Sequence, residues 1–423
     1  MSTRTRLPLY GWLTAEAVSL LGTRVSMIAI PWLVLVTTGS PTQTGLVAMA
    51  EITPMVLLKA AGGPLVDRVG PRRMAITADL LSMVAVGLIP LLHRADRLTL
   101  PLLLALVAVA GALRGPGDAA TTALVPALVE RAQVPYERAT GLASAIERGS
   151  TMLGAALAGG LVATIGPANA VAVDAASFGV CALVLLVTTA SLETSRARDG
   201  LERRDPGRTT SYATELREGW AFLRRDPVLM SLCVMIAVTN LLDLAWSAVL
   251  LPVWARESGA GVAAVGLVFS VWGGASMLGS AFAAAYGTRL PRFATYLVAF
   301  LITGLPRFVL FALGVPLWAV LATCVVGGCA SGFLNPVLGA VQFERIPRAM
   351  VGRVTSLSTA LCWSLMPFGG LLGGVLVSRV GLDPAIVVVG LAYFVTTMAP
   401  ALLPSFRGMN RQVRADVREP VAA

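Results

Sequence analysis

The sequence predicts an all-α integral membrane protein with twelve transmembrane helices in two six-helix parallel repeats. Three observations predict it. The first is composition: of 423 residues, 56% are hydrophobic and only 13% charged, with a mean hydropathy of +0.77. Soluble domains carry about 25% charged residues, so the chain falls in the membrane class. The second is the length of the apolar runs. They suit spanning helices of roughly 20 residues and are about twice as long as a barrel strand; lipid also requires backbone groups to be satisfied within the segment. The third is an internal repeat: Pro126 and Pro336 are 210 residues apart, Gly141 and Gly352 211, Gly166 and Gly381 215, and Phe178 and Phe394 216. An offset near half the chain, with six helices on each side, is the pattern of two parallel repeats related by an axis along the membrane normal.

The helices are read at about 9–37, 42–66, 74–92, 98–124, 139–164 and 167–190, then 228–252, 262–286, 293–313, 315–336, 351–378 and 382–404. Helix 1 carries Glu16 and Arg24, and helix 2 carries Glu51 and Lys59. A charged turn, Gly63 to Arg73, joins helix 2 to helix 3, which carries Asp79. Helix 4 holds Arg114 and Asp118, helix 5 Glu147 and Arg148, and helix 6 Asp174. Segment 191–227 is the most polar stretch and reads as a cytoplasmic linker. Its end, 212–229, has Leu216, Trp220 and Leu223 at helical spacing and reads as an amphipathic helix on the inner membrane surface. Helix 7 holds Asn240, Asp243 and Trp246, and helix 9 holds Arg307. Glycines crowd helices 5, 8 and 11 (Gly154, Gly159, Gly160; Gly273, Gly274, Gly279; Gly369, Gly370, Gly373, Gly374), where small residues allow close helix approach. The domains are thus an N-terminal bundle (1–190), the linker (191–227), a C-terminal bundle (228–404) and a cytoplasmic tail (405–423).

The net charge of +10 does not imply a nucleic-acid partner. With both termini placed in the cytoplasm, inner segments hold 24 basic residues, against Arg94, Arg97, Arg256 and Arg379 in outer loops. That bias satisfies the positive-inside rule and places the chain in the plasma membrane with both termini cytoplasmic. The five cysteines lie in apolar spans and make no disulfide framework. Cys324 and Cys329 lack histidine or carboxylate neighbours, so no metal is expected, nor any cofactor. The first apolar run is too long for a cleavable signal peptide. A monomer in the bilayer is expected.

Ionisable residues within spans are costly and mark function. At a rise of 1.5 Å per residue, Glu16, Arg24, Glu51, Asp174, Asp243 and Arg307 fall near the middle or outer half. Lys59, Asp79, Arg114, Asp118, Glu147 and Arg148 fall nearer the cytoplasm. Arg114 and Glu147 come at similar depth and are expected to pair, either for helix packing or as a pair that breaks and reforms; Arg114 and Asp118 are also placed to pair at i, i+4. A proton-coupling acid must lie within a span and be only conditionally paired. Glu51 and Glu16 fit best, since no basic residue lies within one turn of either on its own helix; Glu147 and Asp243 follow. Substrate-cavity candidates are Asn240, Asp243, Trp246, Asp174, Arg24 and Arg307.

The turn Gly63-Pro64-Leu65-Val66-Asp67-Arg68-Val69-Gly70-Pro71-Arg72-Arg73 closely resembles the loop between helices 2 and 3 of major facilitator superfamily transporters, G-x-x-x-D-R-x-G-[RK]-[RK]. Gly63, Asp67, Arg68, Gly70 and Arg72 match, and Pro71 stands where a basic residue is usual. The resemblance implies a gating role in which Asp67 docks near the start of helix 11, at about Gly352. In helix 5, Gly154 and Gly159-Gly160 fit the antiporter pattern, with Ala155 in place of its proline. Val173–Phe178 and Tyr212–Leu229, with its Leu-Arg-Glu-Gly-Trp-Ala-Phe-Leu core, resemble the twelve-helix subgroup of macrolide, tetracycline-type and enterobactin exporters.

The resemblance implies a secondary transporter that exports amphipathic small molecules, a drug, natural product or siderophore, by proton antiport and alternating access. An uptake carrier or lipid flippase of the same fold is the alternative. No G-x-x-x-x-G-K-[ST] occurs, so no ATP motor of that type is present. An intramembrane enzyme would need a paired nucleophile and base or metal ligands, and no catalytic residues are expected. A receptor or scaffold would have no need of acids at mid-membrane.

Overall fold

The computed structural model describes residues 3–190, 212–286, 290–347, 350–403 and 406. These residues are overwhelmingly helical, and none of them forms a strand. Spans 1 to 6 are single helices: α1 (Thr3–Thr38), α2 (Pro41–Val69), α3 (Pro71–Arg94), α4 (Leu100–Ala132), α5 (Tyr136–Ile165) and α6 (Pro167–Thr188). A short helix, α7 (Tyr212–Arg225), precedes the second half.

Four of the next six spans are broken. Span 7 comprises α8 (Pro227–Ala245), a π turn (Trp246–Leu250) and α9 (Leu251–Glu257). Span 8 is α10 (Gly261–Tyr286). Span 9 is α11 (Arg292–Thr303) and α12 (Leu305–Ala312), and span 10 is α13 (Leu317–Ser331) and α14 (Leu334–Arg345). Span 11 is α15 (Val351–Trp363), a 3₁₀ turn (Met366–Phe368) and α16 (Gly369–Val380). Span 12 is α17 (Leu382–Met398) with a closing 3₁₀ turn. The sequence reading took each of these as one continuous helix. Span 9 breaks where Gly304 leaves the helical region (φ −78°, ψ −109°) ahead of Pro306, which has no N–H to give. Ten spans are long and apolar enough by composition to cross a membrane. The other two, α2 and α5, are 29 and 30 residues long and carry more polar and small residues.

The repeat shows in the backbone. Gly166 and Gly381 take φ of +83° and +86°, a region that glycine alone enters freely. Each ends one span and opens the next, and the amide of each bonds back four residues, to Val162 and Val377.

In the orientation expected from the arginines, the halves meet at the outer end. One apolar core joins Ile30, Leu33 and Val47 of the first half to Val249, Leu250 and Val265 of the second. Towards the inner end each half has its own core: Leu9, Trp12, Leu124 and Leu128 in the first, and Leu223, Leu229, Ile346 and Val354 in the second. Two glycine seams carry the contact. A Cβ on Gly159 of span 5 would come within 3.0 Å of Gly266 Cα in span 8, and one on Gly374 of span 11 within 2.8 Å of Thr42 Cα in span 2. Arg256 adds a bond from its guanidinium to the Leu35 carbonyl at 3.0 Å.

The α7 helix packs on the inner end of the second half. Leu223 is buried, and Glu218 pairs with Arg353 of span 11 at 3.0 Å. Trp220 stays exposed, facing away from this core. Asp226 caps α8 through the amides of Val228 and Leu229 and pairs with Arg345 at 2.9 Å. The rest of the expected linker (191–211), the side chain of Leu216, and the tail beyond Phe406 lie outside the described residues.

Candidate functional site

The first half encloses a polar cavity of about 310 Å³. Helical periodicity builds its walls. Glu16, Ser19 and Thr23 recur at i, i+3 and i+7 on span 1; Asp79 and Ser82 at i, i+3 on span 3; Arg114, Gly117, Asp118 and Thr121 at i, i+3, i+4 and i+7 on span 4. Such spacings put residues on one helix face. Lys59 of span 2, Glu147 of span 5, and Phe178 and Cys181 of span 6 complete the lining. The ionisable lining is four carboxylates and two cations.

The pairing within this cavity differs from the sequence expectation. Asp118 pairs with Lys59, Nζ to Oδ2 at 3.2 Å, and no described ion pair joins Arg114 to Glu147 or to Asp118. Arg114, Asp118 and Glu147 therefore share a cavity rather than form a closed pair. Sequence reasoning placed Lys59, Asp79, Arg114, Asp118 and Glu147 at similar depth but did not assemble them, and it set Glu16 apart. The i, i+3, i+7 polar stripes of spans 1 and 4 were the signal that would have joined them. Glu51 lies elsewhere. It is half-buried, and its backbone packs against Gly111 of span 4. It lines no part of this cavity.

Two other candidates, Asp174 and Arg24, are not among the residues that line this cavity. Asp174 is 2% exposed and is sealed between spans 1 and 6, where its carboxylate accepts from the hydroxyls of Ser26 and Ser177. Arg24 donates to Thr151 Oγ1 at 2.9 Å, joining span 1 to span 5, and its aliphatic stem packs on Gly154. Both side chains bond across helix contacts.

The second half holds one intramembrane ion pair among the described residues, Arg307 Nη2 to Asp243 Oδ1 at 2.8 Å. The guanidinium lies 4.5 Å from the ring centre of Phe308, 4.9 Å from Tyr393 and 5.1 Å from Trp272. That is within the range of cation–π attraction. Arg307 is buried, while the Asp243 side chain is 45% exposed. One carboxylate oxygen of Asp243 thus holds the arginine, and the group as a whole stays accessible.

Asn240, Asp243 and Trp246 point to three different partners. The Asn240 amide donates to the Cys362 carbonyl of span 11 at 2.9 Å, and Asp243 reaches span 9. Trp246 opens the π turn, in which the Leu251 amide bonds back five residues to the Trp246 carbonyl. Its ring packs edge-on against Phe308 and Phe311, with centroids at 5.2 and 4.6 Å. Trp246 is 5% exposed and is a core residue rather than a cavity wall.

At the turn after span 2, Gly70 takes φ +91° and its amide closes the helix on the Val66 carbonyl. Arg68 is exposed. Arg72 reaches the C-terminal end of span 6, donating to Thr189 Oγ1 and the Leu186 carbonyl, both at 2.9 Å; a cation there also suits the helix dipole. Gly63 lies within α2. The side chain of Asp67 and the contacts of Gly352 lie outside the described residues, as does the expected docking of one near the other.

The chain was compared with known proteins once this geometry was established. It is 28% identical to the multidrug efflux pump Tap of Mycobacterium tuberculosis over the full length of both chains. It is 22% identical to macrolide efflux protein A of Streptococcus pyogenes, over 89% of this chain and 91% of that one. The crystal structure of the nucleoside transporter NupG superposes with a TM-score of 0.72 at 13% identity, covering 95% of this chain and 98% of that one, and so shares the fold. The family description that matches residues 12–245 is that of the Major Facilitator Superfamily. With its multi-pass helical membrane architecture and that match over more than half its length, the chain belongs to the Major Facilitator Superfamily of transporters.

Proposed function

We propose that this transporter exports amphipathic small molecules across the plasma membrane by alternating access, in exchange for protons. The observation that carries the reading is the polar cavity of the first half, where Glu16, Asp79, Asp118 and Glu147 face one space of about 310 Å³ with two cations. Acids placed this way can take up and release protons as partners and solvent access change. The names of two relatives, a multidrug efflux pump and a macrolide efflux protein, favour export of drug-like compounds.

In this reading the bundles 1–190 and 228–404 rock about their glycine seams, 191–227 connects them in the cytoplasm, and 405–423 is a cytoplasmic tail. The shared outer core and separate inner cores correspond to an inward-facing state. Glu16 is favoured over Glu51 as the proton carrier because it lines the cavity; Glu147 shares that wall. Asp243, held by Arg307, is favoured as a substrate contact of the second half. The transporter acts as a monomer with both termini in the cytoplasm.

The test is substrate-driven proton movement in reconstituted vesicles, for the unaltered chain and for Glu16→Gln and Glu51→Gln. Coupling lost in Glu16→Gln and kept in Glu51→Gln is the expected result. Substrate accumulation in the direction of the proton flux would instead indicate an uptake carrier. Orientation is tested separately with single cysteines at Thr38 and Glu130, both exposed. In intact cells an impermeant thiol reagent should label only the first.

A further inference from the structure

Lys59 is the single lysine of the chain, and it contacts both halves. On one side its ammonium pairs with Asp118 of span 4 at 3.2 Å. On the other it lies 4.9 Å from the ring centre of Trp363 on span 11, close enough for cation–π attraction. A counter-ion for Asp118 alone would have no need of a ring from the opposite half.

The place of Trp363 gives the contact its meaning. It is the last residue of α15, directly before the break that leads through Met366–Phe368 into α16. The outer segment, α16, is locked to span 2 through Gly370 and Gly374 against Gly45 and Thr42. The inner segment, α15, packs instead with α7 and Leu229 in the inner core of the second half. Trp363 therefore stands at the hinge between a fixed half-helix and one free to follow the inner end. Lysine suits such a position: its ammonium is a compact charge on a flexible stem that can divide itself between two partners.

We propose that Lys59 couples the acidic cavity of the first half to the hinge of span 11, its ammonium shared between the Asp118 carboxylate and the Trp363 ring. The proposal rests on the alternating-access reading above. When the cavity loses negative charge, the pull on the ammonium from Asp118 weakens and Trp363 becomes its main partner; when the charge returns, Lys59 is drawn back from the hinge. The groups that set this charge are Glu16 from span 1, Asp79 from span 3, Arg114 and Asp118 from span 4, and Glu147 from span 5. Substrate exchange and the closing of the inner end are then linked through one side chain.

The experiment is a mutant cycle on the full-length protein in lipid nanodiscs, read by the distance between spin labels at Glu130 and Leu290, exposed positions on the two halves. Asp118→Asn and Trp363→Leu are each expected to shift the ratio of open to closed inner ends by about two- to fivefold, the range of one exposed cation–π or ion-pair contact. With Lys59 present the two effects should not multiply. In Lys59→Met they should multiply, and Lys59→Arg should restore the coupling. If Lys59→Met does not insert, Lys59→Gln takes its place in the cycle. Two populations with effects that multiply in the presence of Lys59 overturn the proposal and leave alternating access standing. The same holds for coupling that persists in Lys59→Met or that arginine fails to restore. A single distance under every condition overturns alternating access, and the proposal with it.

Discussion

The two halves share a fold and a backbone signature at Gly166 and Gly381, yet they handle charge in opposite ways. The first half gathers four carboxylates and two cations around an open space, with one ion pair among the described residues there, Lys59 to Asp118, and that pair half-exposed. The second half brings Arg307 to Asp243 and closes three aromatic rings over the guanidinium. A charge with several loose partners can change protonation or partner at small cost. A buried cation with one partner and a ring cage cannot, because removing the partner strands the charge. The difference teaches that repeat symmetry fixes where helices run, while the ionisable residues are arranged differently: loosely partnered around a cavity in one half, tightly held in the other.

The largest effect that would break this comparison is expected at Arg307. Arg307→Ala removes the buried member and leaves Asp243 without its cation. The loss is expected at about 2–3 kcal/mol of stability, below the full value for a buried pair because Asp243 is half-exposed. It should appear as a drop in the detergent-solubilised Tm, partly recovered by adding Asp243→Ala. An unchanged Tm would show that the second half does not depend on its pair.

A wedge at the seam comes next. Gly266→Val places a branched side chain against Gly159 and the Ala155 carbonyl. Overpacking of this kind costs about 1–3 kcal/mol, here drawn from the closed outer end. A thiol probe at Thr38 should react faster, while the Lys59–Asp118 and Arg307–Asp243 pairs, each internal to one half, persist.

Glu16→Gln should sharpen the contrast from the other side. No hydrogen bond or ion pair of Glu16 with another described residue is lost, so stability should change by less than about 1 kcal/mol, while substrate-driven proton release disappears. A large fall in Tm would mean that the first half holds its acids as tightly as the second holds its arginine.

The smallest effect is at the inner surface of the second half. Arg292 grips Glu344 with two hydrogen bonds of 2.6 Å. Those bonds hold the Glu344 carboxyl below its usual value of 4.5. Its contribution is therefore present above that value and is lost as the pH falls through the lower folded one. Arg292→Ala should cost no more than about 1 kcal/mol for an exposed pair. A Tm difference between the variants that closes only in acid would confirm the sign.

Much of the fold was legible because lipid restricts the chain to helices long and apolar enough to span it. The repeat was legible at Gly166 and Gly381 because a positive φ leaves glycine as the cheap choice. The breaks in spans 9 and 11 were signalled by Gly304-Leu305-Pro306 and by Pro367, but a proline within a membrane helix does not always interrupt it, as Pro31, Pro90 and Pro116 show. The site was less legible. Depth along a helix could be estimated, but rotation about its axis sets partners. Asp174 and Arg24 were ionisable and at the right depth, yet both point into helix contacts. Trp246 keeps its α-helical bond to the Leu242 carbonyl, yet its ring is buried against Phe308 and Phe311 while Asn240 turns to Cys362 of span 11.

A chain of 423 residues with one lysine carries a chemical address. Apart from the α-amino group, any amine-selective reagent has a single target, and that target lines the cavity of the first half beside Trp363 of span 11. Its rate of acylation becomes a clock for the cavity. In the alternating-access reading, acylation is fast when solvent reaches the side chain and the amine can shed its proton away from Asp118, and slow when span 11 covers it. Intact-mass spectrometry of the native, unlabelled protein can therefore follow the inner end during turnover without engineered cysteines, because composition has already made the site unique.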